Sequence, residues 1–430
     1  MLDKNVFAKV VADQRHDLEQ AHARIPRESL ALLRPFTVPT AMIVMGVRRC
    51  GKSTLLAQFM KQHYDDDFWY VNFDQDQLSN FQVNDFQPML ESLIESFGKK
   101  SAIYLDEIQT IKGWELFVNR IMREGYKVYI TGSNADLLSK ELGTHMTGRH
   151  VDFELYPFSF SEFLTAKKYS GPRKKVYGTE ERVQLLVWFK SYLLLGGMPE
   201  AVIENNAQFS ASVVTDVVQK DIIRRYNLRK SNELQTVVRF LLNNVGNETS
   251  FRSLSNQHKI SNVTVQKYLK YLEEAYLVFT VNRFERKIKQ FDKNPKKVYA
   301  IDNGISGILS TNLNENNGRL LENLVAIELK RRKNPFFYYV NKNKTKTDFV
   351  VTQNNQVVQA VQVCFDPTNL ETLKREEKAL IATMNELNLK DGLILTMETD
   401  EEKKMEDKTI HCIPTWQWLL EPVNHQEDKS

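Results

Sequence analysis

The chain has 430 residues, more than one hydrophobic core usually holds, so about three domains are expected. Hydrophobic residues make up 42% and charged residues 26%, a globular composition that excludes a disordered or fibrous protein. The 58 basic and 54 acidic side chains leave a net charge of +4, too small by itself to indicate a nucleic-acid binder. Three distant cysteines (Cys50, Cys364 and Cys412) form neither a disulfide framework nor a CxxC metal site. Without an apolar run of about 20 residues or a signal-peptide segment, the sequence predicts a soluble, reduced, cytoplasmic protein.

The order of apolar patterns along the chain predicts its organisation. Between Val6 and Leu33, apolar side chains recur at helical spacing, as in one or two amphipathic helices. From Thr40 onward, short apolar runs alternate with longer amphipathic stretches, the pattern of a parallel α/β sheet. The five runs are Ala41–Met45, Trp69–Phe73, Ala102–Leu105, Val128–Ile130 and Val151–Leu155.

Later segments change in character and set the predicted domain bounds. A basic, glycine-containing stretch, Lys167–Arg182, is typical of an exposed loop or boundary, and a helix-rich segment with a Gly196-Gly197 turn follows. Next come three helical patterns and two strand-like runs, the order of a winged helix-turn-helix. A second α/β segment and a charged tail end the chain. The predicted segments are N-terminal helices (1–36), α/β core (37–166), helical subdomain (167–232), winged helix (233–300), second α/β domain (301–420) and tail (421–430).

The strongest motif is a phosphate-binding loop that fits GxxxxGK(S/T) and directly follows the first apolar run. A strand delivers such a loop, glycines let backbone N–H groups close around phosphate oxygens, and the next helix adds its positive end. Lys52 would reach the β- and γ-phosphates, and the Ser53 hydroxyl would coordinate Mg²⁺. The predicted nucleotide-binding residues are Gly46, Val47, Arg48, Arg49, Cys50, Gly51, Lys52, Ser53 and Thr54.

A second apolar run ends in two adjacent carboxylates, Asp106 and Glu107. Asp106 is suited to hold Mg²⁺, and Glu107 to polarise the attacking water as a general base. Such a pair alone is also common at a solvated strand end. Combined with the phosphate-binding loop, it predicts a hydrolytic site.

A third run ends in small polar residues, among them Ser133 and Asn134. In a doubly wound sheet this strand lies beside the Asp106 strand, so its end would face the γ-phosphate. Either side chain can orient the water or sense the phosphate. Equally, they can cap the next helix, because Ser and Asn are preferred at helix starts.

These motifs together resemble the prokaryotic AAA+-type P-loop ATPases. The resemblance covers about Ile25 to Phe365 and is carried by GVRRCGKST, IYLDEIQTIKGWE, YITGSNADLL and THMTGRHVDFELYPFSFSEFL. It implies a five-stranded parallel core, ATP rather than GTP, assembly into rings or other multimers, and a winged helix followed by a poorly characterised C-terminal domain.

The family's Gly-Arg pair before the last core strand falls here on Gly148 and Arg149. By resemblance, Arg149 is a candidate sensor or trans-acting arginine, since a guanidinium can neutralise charge on a transferring phosphoryl group. It can equally be an ordinary surface arginine. Arg48 and Arg49 can face solvent or another subunit, whereas Cys50 matches an apolar position and suits packing.

The segment Ser250–Leu277 predicts the second helix of a winged helix-turn-helix. Its leading turns carry side chains able to contact double-stranded DNA, namely Asn262, Thr264, Gln266 and Lys267. The following stretch, Arg283–Lys297, has seven basic and two acidic residues, a net +5. The alternative is a module that serves only packing or subunit contact.

The last α/β segment resembles the PD-(D/E)xK nuclease fold. Glu322 lies in a predicted helix and Asp348 in a predicted strand, but Gln362 and Cys364 stand where an active nuclease needs an acid and a lysine. Two carboxylates supply too few metal ligands and no lysine for the phosphate. We therefore expect a degenerate nuclease fold that serves binding or assembly.

The fold class that follows is α/β: a P-loop NTPase parallel sheet, a helical and winged-helix region, and a nuclease-like α/β domain. The first functional hypothesis is a Mg²⁺-dependent ATPase that moves the winged-helix and C-terminal domains. The alternatives are a nucleotide-gated signalling module that captures DNA or protein with incidental turnover, and a metal-dependent nuclease. A homo-oligomer or a protein partner is compatible with both of the first two.

Overall fold

A computed structural model describes residues 4–22, 24–133, 149–171, 177–285, 294–307, 317–405 and 407–422. The chain divides into two compact units. The first comprises Met1–Tyr156 with Glu274–Tyr276, and the second comprises Pro157–Glu273 with Leu277–Ser430.

Five parallel strands form the sheet of the first unit and confirm the expected core. They are β1 (Ala41–Met45), β2 (Phe68–Asn72), β3 (Ala102–Asp106), β4 (Lys127–Gly132) and β5 (His150–Glu154). Their order is β2-β3-β4-β1-β5, so β4 lies beside β3, as predicted, and its other neighbour is β1. All residues of β1 and β3 are buried, which explains their continuous apolar runs: both faces of a parallel sheet are covered.

Four helices pack on this sheet: α1 (Lys4–His22), α2 (Lys52–Tyr64), α3 (Phe86–Phe97) and α4 (Trp114–Arg123). The apolar face of α1 joins the core through Phe7, Val10 and Val11. The predicted N-terminal helical region therefore forms one long helix, followed by a short 3-10 helix at Glu28–Leu32.

The second unit begins with helices. They are α5 (Phe160–Ala166), α6 (Thr179–Leu195), α7 (Pro199–Glu204), α8 (Gln208–Asp216), a π-helical stretch (Val217–Arg224) and α9 (Ser231–Asn243). The predicted Gly196-Gly197 turn separates α6 from α7. Its Gly197 N–H donates to the buried Asp302 carboxylate at 2.6 Å, which fixes the turn against the segment at 302–304.

Next comes a module of helices and a small antiparallel sheet. Its elements are β6 (Glu248–Thr249), α10 (Phe251–His258), α11 (Asn262–Glu274), β7 (Val278–Val281) and β8 (Lys296–Ala300). The strand order is β6-β8-β7, with β8 in the centre. We call these elements together with α9 the β8 module.

A mixed six-stranded sheet closes the chain. Its elements are α12 (Asn303–Gly307), α13 (Asn317–Arg331), β9 (Phe336–Val340), β10 (Lys346–Gln353), β11 (Gln356–Cys364), α14 (Leu370–Leu387), β12 (Asp391–Thr396), β13 (Glu401–Met405), β14 (Lys408–Pro414) and α15 (Thr415–Leu420). The order is β13-β14-β12-β11-β10-β9. The pairs β11–β12 and β12–β14 are parallel and the others antiparallel, so α14 is the crossover between β11 and β12. Among the described helices, none has the length and apolarity that a bilayer crossing requires.

Candidate nucleotide-binding site

The phosphate-binding loop leaves the carboxyl end of β1 and turns directly into α2. Three of its residues have positive φ angles: Gly46 at 154°, Arg49 at 62° and Gly51 at 96°. A Cβ on Gly46 would lie 2.2 Å from the Leu155 carbonyl oxygen, so only glycine fits where the loop passes the end of β5. Because α2 begins at Lys52, its positive N-terminal end faces the loop.

The buried side chain of Lys52 crosses the inside of the loop and bonds to its backbone. Its ammonium donates to the carbonyl oxygens of Gly46 at 3.0 Å and Val47 at 3.1 Å, and the residue is 5% exposed. Ser53 is exposed at the first turn of α2, whereas Thr54 is buried. The loop thus holds a cation in its centre and a hydroxyl beside it.

Asp106 ends β3 at the same sheet edge. It is paired in register with Thr131 of β4, which in turn pairs with Val44 of β1, immediately before the loop. The Asp106 carboxylate accepts hydrogen bonds from the Thr131 hydroxyl and, at 3.0 Å, from the Tyr70 phenol. The predicted metal ligand and the phosphate-binding loop therefore lie at the same edge of the sheet, with β4 between their strands.

The Ser133 hydroxyl, which follows β4, is buried and has no hydrogen-bond partner among the described residues. Tyr104 lies on the same face of β3 as Asp106, and its hydroxyl is buried too. Burial and the Asp106 carboxylate raise the pKa of the Tyr104 phenol, so it stays protonated. Unpaired buried donors are costly, and they mark a place where a polar ligand would complete the bonding.

Glu107 follows Asp106 in a left-handed backbone conformation, with φ 55° and ψ 33°. This conformation is uncommon for a residue with a side chain, and such outliers concentrate at functional sites. The half-buried Glu107 carboxylate accepts a hydrogen bond from the Gln109 amide. Gln109 was not recognised from the sequence. Its contact with Glu107 depends on the short 3-10 helix at Ile108–Thr110, which the sequence pattern did not predict.

The structure separates Arg149 from the phosphate-binding loop. Arg149 is exposed immediately before β5, and its carbonyl oxygen accepts from the Ala41 N–H at the beginning of β1. The loop follows the other end of β1. Since strands rise about 3.3 Å per residue, Arg149 lies roughly 20 Å from the loop along the strand direction. Asn134 and Gly148 lie outside the described residues.

The remaining loop residues differ in their environments. Arg48 is half-buried with its guanidinium 3.9 Å from the Asp74 carboxylate, and Arg49 is exposed. Cys50 is fully buried, and its thiol lies 3.5 Å from the Leu155 carbonyl oxygen, as expected of a packing residue. Burial raises the pKa of Cys50, so the thiol is not activated.

A buried arginine supports the loop from behind. The Arg27 guanidinium donates to the carbonyl oxygens of Cys50 and Tyr156, each at 2.7 Å. It thereby joins the loop to the chain just beyond β5. The sequence offered no motif for this role, since Arg27 stands alone between short helical patterns.

The predicted DNA-contact residues lie on α11. Asn262, Gln266 and Lys267 are exposed, whereas Thr264 is half-buried and its hydroxyl is bonded to Ser261 at 2.7 Å. Residues 286–293 of the predicted basic stretch lie outside the described residues. Lys297, counted in that stretch, is 5% exposed and so adds no charge to the surface.

Comparisons with known proteins give a consistent picture. A family model described as "AAA domain" matches residues 38–164, and two models for domains of unknown function, DUF8612 and DUF4143, match residues 187–316 and 317–418. An uncharacterized protein of Methanocaldococcus jannaschii is 32% identical, over 98% of this chain and 96% of its own. An uncharacterized protein of Haemophilus influenzae is 30% identical, over 88% of this chain and 94% of its own.

Solved structures show only weak overall similarity. C. elegans PCH-2 has 14% identity and a TM-score of 0.29, with 49% of this chain and 63% of that chain covered. AMPPCP-bound DnaA from Aquifex aeolicus has 15% identity and a TM-score of 0.23, with 57% and 85% covered. These scores support no further conclusion. The near full-length relatives and the AAA and DUF4143 matches show that the chain belongs to their family, the P-loop AAA-type ATPases that carry a C-terminal DUF4143 domain.

Proposed function

We propose that the protein binds ATP with Mg²⁺ and hydrolyses it. The observation that carries this proposal is the placement of the Lys52 loop and Asp106 at the same sheet edge, where the buried Ser133 hydroxyl has no hydrogen-bond partner among the described residues. A loop with a purely structural role does not need a buried lysine such as Lys52 in its centre, nor a buried hydroxyl such as that of Ser133 left without a partner at the same edge.

The residues at this edge fit a nucleotide-bound Mg²⁺. In phosphate sites Mg²⁺ keeps several waters and takes one or two protein oxygens besides the phosphates. The Asp106 carboxylate and the Ser53 hydroxyl are suited to hold it. Accordingly, no three His, Cys, Asp or Glu side chains gather into a metal site within the described part of the chain. When bound, the ion would neutralise charge on the phosphate oxygens.

Each side chain then has a definite task. Lys52 would exchange its bonds to the Gly46 and Val47 carbonyls for bonds to phosphate oxygens. Glu107 would take the proton of the attacking water, with Gln109 fixing its carboxylate. Ser133, and Asn134 beside it in sequence, would orient that water or sense the phosphate.

Arg149 is assigned to a neighbouring copy's site. A separation of roughly 20 Å along the strands is beyond the reach of one arginine side chain, so Arg149 cannot complete the site of its own chain. A second copy that presents Arg149 to this loop would bring the guanidinium to the transferring phosphoryl group. This assignment requires a homo-oligomer, which the family resemblance also favours.

We further propose that hydrolysis is coupled to rearrangement of the β8 module and the C-terminal domain, in the cytoplasm. The three cysteines are buried and free, which suits a reducing compartment. The β8 module has the element order of a winged helix, and α11 exposes Asn262, Gln266 and Lys267. This exposed face favours a second candidate function, nucleotide-gated capture of double-stranded DNA.

The hydrolysis proposal is tested with two variants and a control. We expect Lys52→Ala to lose both ATP binding and phosphate release. Glu107→Gln should still bind ATP, while its turnover falls by roughly 10²–10⁴-fold, the usual contribution of a general base. Glu124→Gln, an exposed carboxylate at the end of α4, should match the wild type. Binding of a fluorescent ATP analogue and release of phosphate are the measurements.

Either of two results would contradict the assignment. Wild-type turnover by Glu107→Gln removes Glu107 as the base. Unchanged ATP binding by Lys52→Ala means that the nucleotide site lies elsewhere.

A further inference from the structure

A buried lysine lies at the centre of the nuclease-like site. The ammonium of Lys297, from β8, is 2.7 Å from a Glu322 oxygen on α13 and 3.4 Å from an Asp348 oxygen on β10. The Lys297 side chain is 6% exposed, and those of Glu322 and Asp348 are each 15% exposed. Glu322 and Asp348 are the two carboxylates of the predicted degenerate motif, so a lysine from outside that motif contacts both of them.

Three of the four carboxylate oxygens that a metal ion would use are already bonded. One Asp348 oxygen faces Lys297, and the other accepts the Val363 N–H at 3.0 Å. The Glu322 oxygen that meets Lys297 also accepts the Tyr299 phenol at 2.7 Å. These donors leave both carboxylates turned towards protein groups, and the described residues contain no group of three metal-binding side chains.

Gln362 stands where a nuclease of this kind carries its second acid. Its side-chain oxygen accepts the Asp348 N–H at 3.3 Å, and its amide donates to Glu376 at 2.6 Å. It therefore bridges β10 and α14 as a neutral linker. The metal that the nuclease-like fold implies does not fit this arrangement.

The site is also covered. Gly246, with φ 76°, lies so close to Glu322 that a Cβ there would be 3.1 Å from the carboxylate. Only a residue without a side chain lets the turn before β6 rest on this carboxylate. A polymer substrate therefore has no open approach to Glu322 from that side.

We infer that the Lys297 ammonium takes the place of a divalent metal ion in this site. One tethered positive charge offsets two buried carboxylates, and hydrogen bonds from Tyr299 and Val363 stabilise the remaining negative charge. A divalent ion at the same place would lie within a few ångströms of an ammonium and be repelled. The site is thus metal-free and does not cleave nucleic acid.

The lysine also fastens the β8 module to the C-terminal sheet. Around Lys297, the Tyr338 phenol donates to the Pro295 carbonyl at 2.6 Å, and Lys346 pairs with Glu248 at 2.9 Å. The Phe284 N–H donates to the Tyr338 carbonyl at 2.8 Å. Lys297 therefore lies at the centre of a contact that joins two sheets of the second unit.

Binding of Mn²⁺ to the full-length protein without nucleotide tests this inference, with free Mn²⁺ followed by electron paramagnetic resonance. All samples carry Lys52→Ala, so that the nucleotide site contributes nothing. When Lys297 is present, we expect Asp348→Asn to make no difference to the amount of Mn²⁺ bound. Lys297→Ala should gain one Mn²⁺ site, and Lys297→Ala with Asp348→Asn should lose it again.

Stability gives a second readout. Lys297→Ala leaves two buried carboxylates uncompensated, so we expect it to lower the melting temperature in EDTA. Added Mn²⁺ should raise the melting temperature of this variant again. With Asp348→Asn also present, Mn²⁺ should no longer change the melting temperature. If Lys297→Ala does not fold, Lys297→Gln, which keeps the side-chain length, replaces it. Asp348-dependent Mn²⁺ binding or DNA cleavage by protein that retains Lys297 would overturn the inference. A folded Lys297→Ala or Lys297→Gln variant without a new Mn²⁺ site would do so as well.

Discussion

Arg27 ties the phosphate-binding loop to the chain just beyond β5 through two backbone carbonyls. A guanidinium suits this task because its planar fork can donate to two acceptors in fixed directions while staying charged. Nearby, the Gln58 amide donates to the carbonyls of Arg24 and Ile25 at 3.2 and 3.3 Å. The segment before β1 therefore positions both the loop and α2, although it belongs to no nucleotide-binding motif.

Arg27→Met should loosen the loop. It leaves two buried carbonyls unpaired, at about 1–3 kcal/mol each, so we expect a lower melting temperature and a KM for ATP raised at least tenfold. Because Arg27 supports the loop rather than the reacting atoms, kcat at saturating ATP should fall much less. Steady-state phosphate release over a range of ATP concentrations separates the two parameters.

Arg34→Met is the matched control, since the Arg34 guanidinium is exposed and donates to the Ala31 and Leu33 carbonyls of its own segment, at 2.8 and 2.7 Å, rather than to the loop. It should leave KM nearly unchanged. Equal KM values for Arg27→Met and the wild type would show that the loop keeps its shape without Arg27.

The buried and exposed faces of helix α11 were largely predictable from the local sequence. The helical spacing predicts an inward face made of Val263, Tyr268, Leu269, Leu272 and Leu277. The last four are buried, but Val263 in the first turn is 75% exposed, beside the exposed Gln266 and Lys267. Period and polarity determine such a face locally. Lys297 illustrates the opposite case: its burial depends on Glu322 and Asp348, which are distant in sequence, and a count of charges along the chain cannot reveal that contact.

The same contrast holds for the nucleotide site. The loop and the position of Asp106 at a strand end were predictable, because the motif and the apolar run that indicate them each lie within a few residues. The position of β4 beside β3 followed from the doubly wound topology. Arg27 and Gln109 were not, because their roles arise from a tertiary contact and from a turn. The two-residue strand β6 and the π-helical stretch Val217–Arg224 likewise have no periodic signal of sufficient length.

If α11 reads DNA, reversing its exposed charge should weaken binding. We expect Lys267→Glu with Lys270→Glu to reduce affinity for duplex DNA strongly. The dependence of log K on log salt should fall by about one for each DNA phosphate that these lysines no longer neutralise. Fluorescence anisotropy with labelled duplex at several salt concentrations measures both quantities.

Lys374→Glu with Lys378→Glu, on the exposed side of α14, is the charge-matched control. Equal loss of affinity in the two double variants would mean that only net charge matters. No loss of affinity in the α11 variant would favour a protein partner over DNA.

At the scale of the whole molecule, the opposite placement of the phosphate-binding loop and Arg149 makes the proposed active site a property of two copies. Parallel strands put the loop at their carboxyl ends and Arg149 at the start of β5. A head-to-tail contact brings opposite ends of neighbouring subunits together and closes into rings when the rotation permits. Neither copy alone would then hold a complete site.

Mixing two inactive variants tests this arrangement. Lys52→Ala and Arg149→Ala should each hydrolyse ATP poorly, whereas an equimolar mixture should recover up to about a quarter of wild-type activity, because random head-to-tail assembly forms that share of intact sites. Phosphate release before and after mixing is the measurement. A mixture no more active than its components, or full activity of Arg149→Ala alone, would remove Arg149 from the site.

The Gln14 side chain of α1 covers part of an open edge of the sheet, at which another chain could otherwise pair. β2 is an edge strand, and the Gln14 side chain both accepts the Asn72 N–H and donates to the Asn72 carbonyl, each at 2.9 Å. A side-chain amide here imitates the peptide group of an added strand. Open strand edges are templates on which other chains can pair and aggregate. Because Gln14 occupies both backbone groups of Asn72, another chain cannot pair with the β2 edge at that residue, and this effect of α1 is separate from its packing on the core.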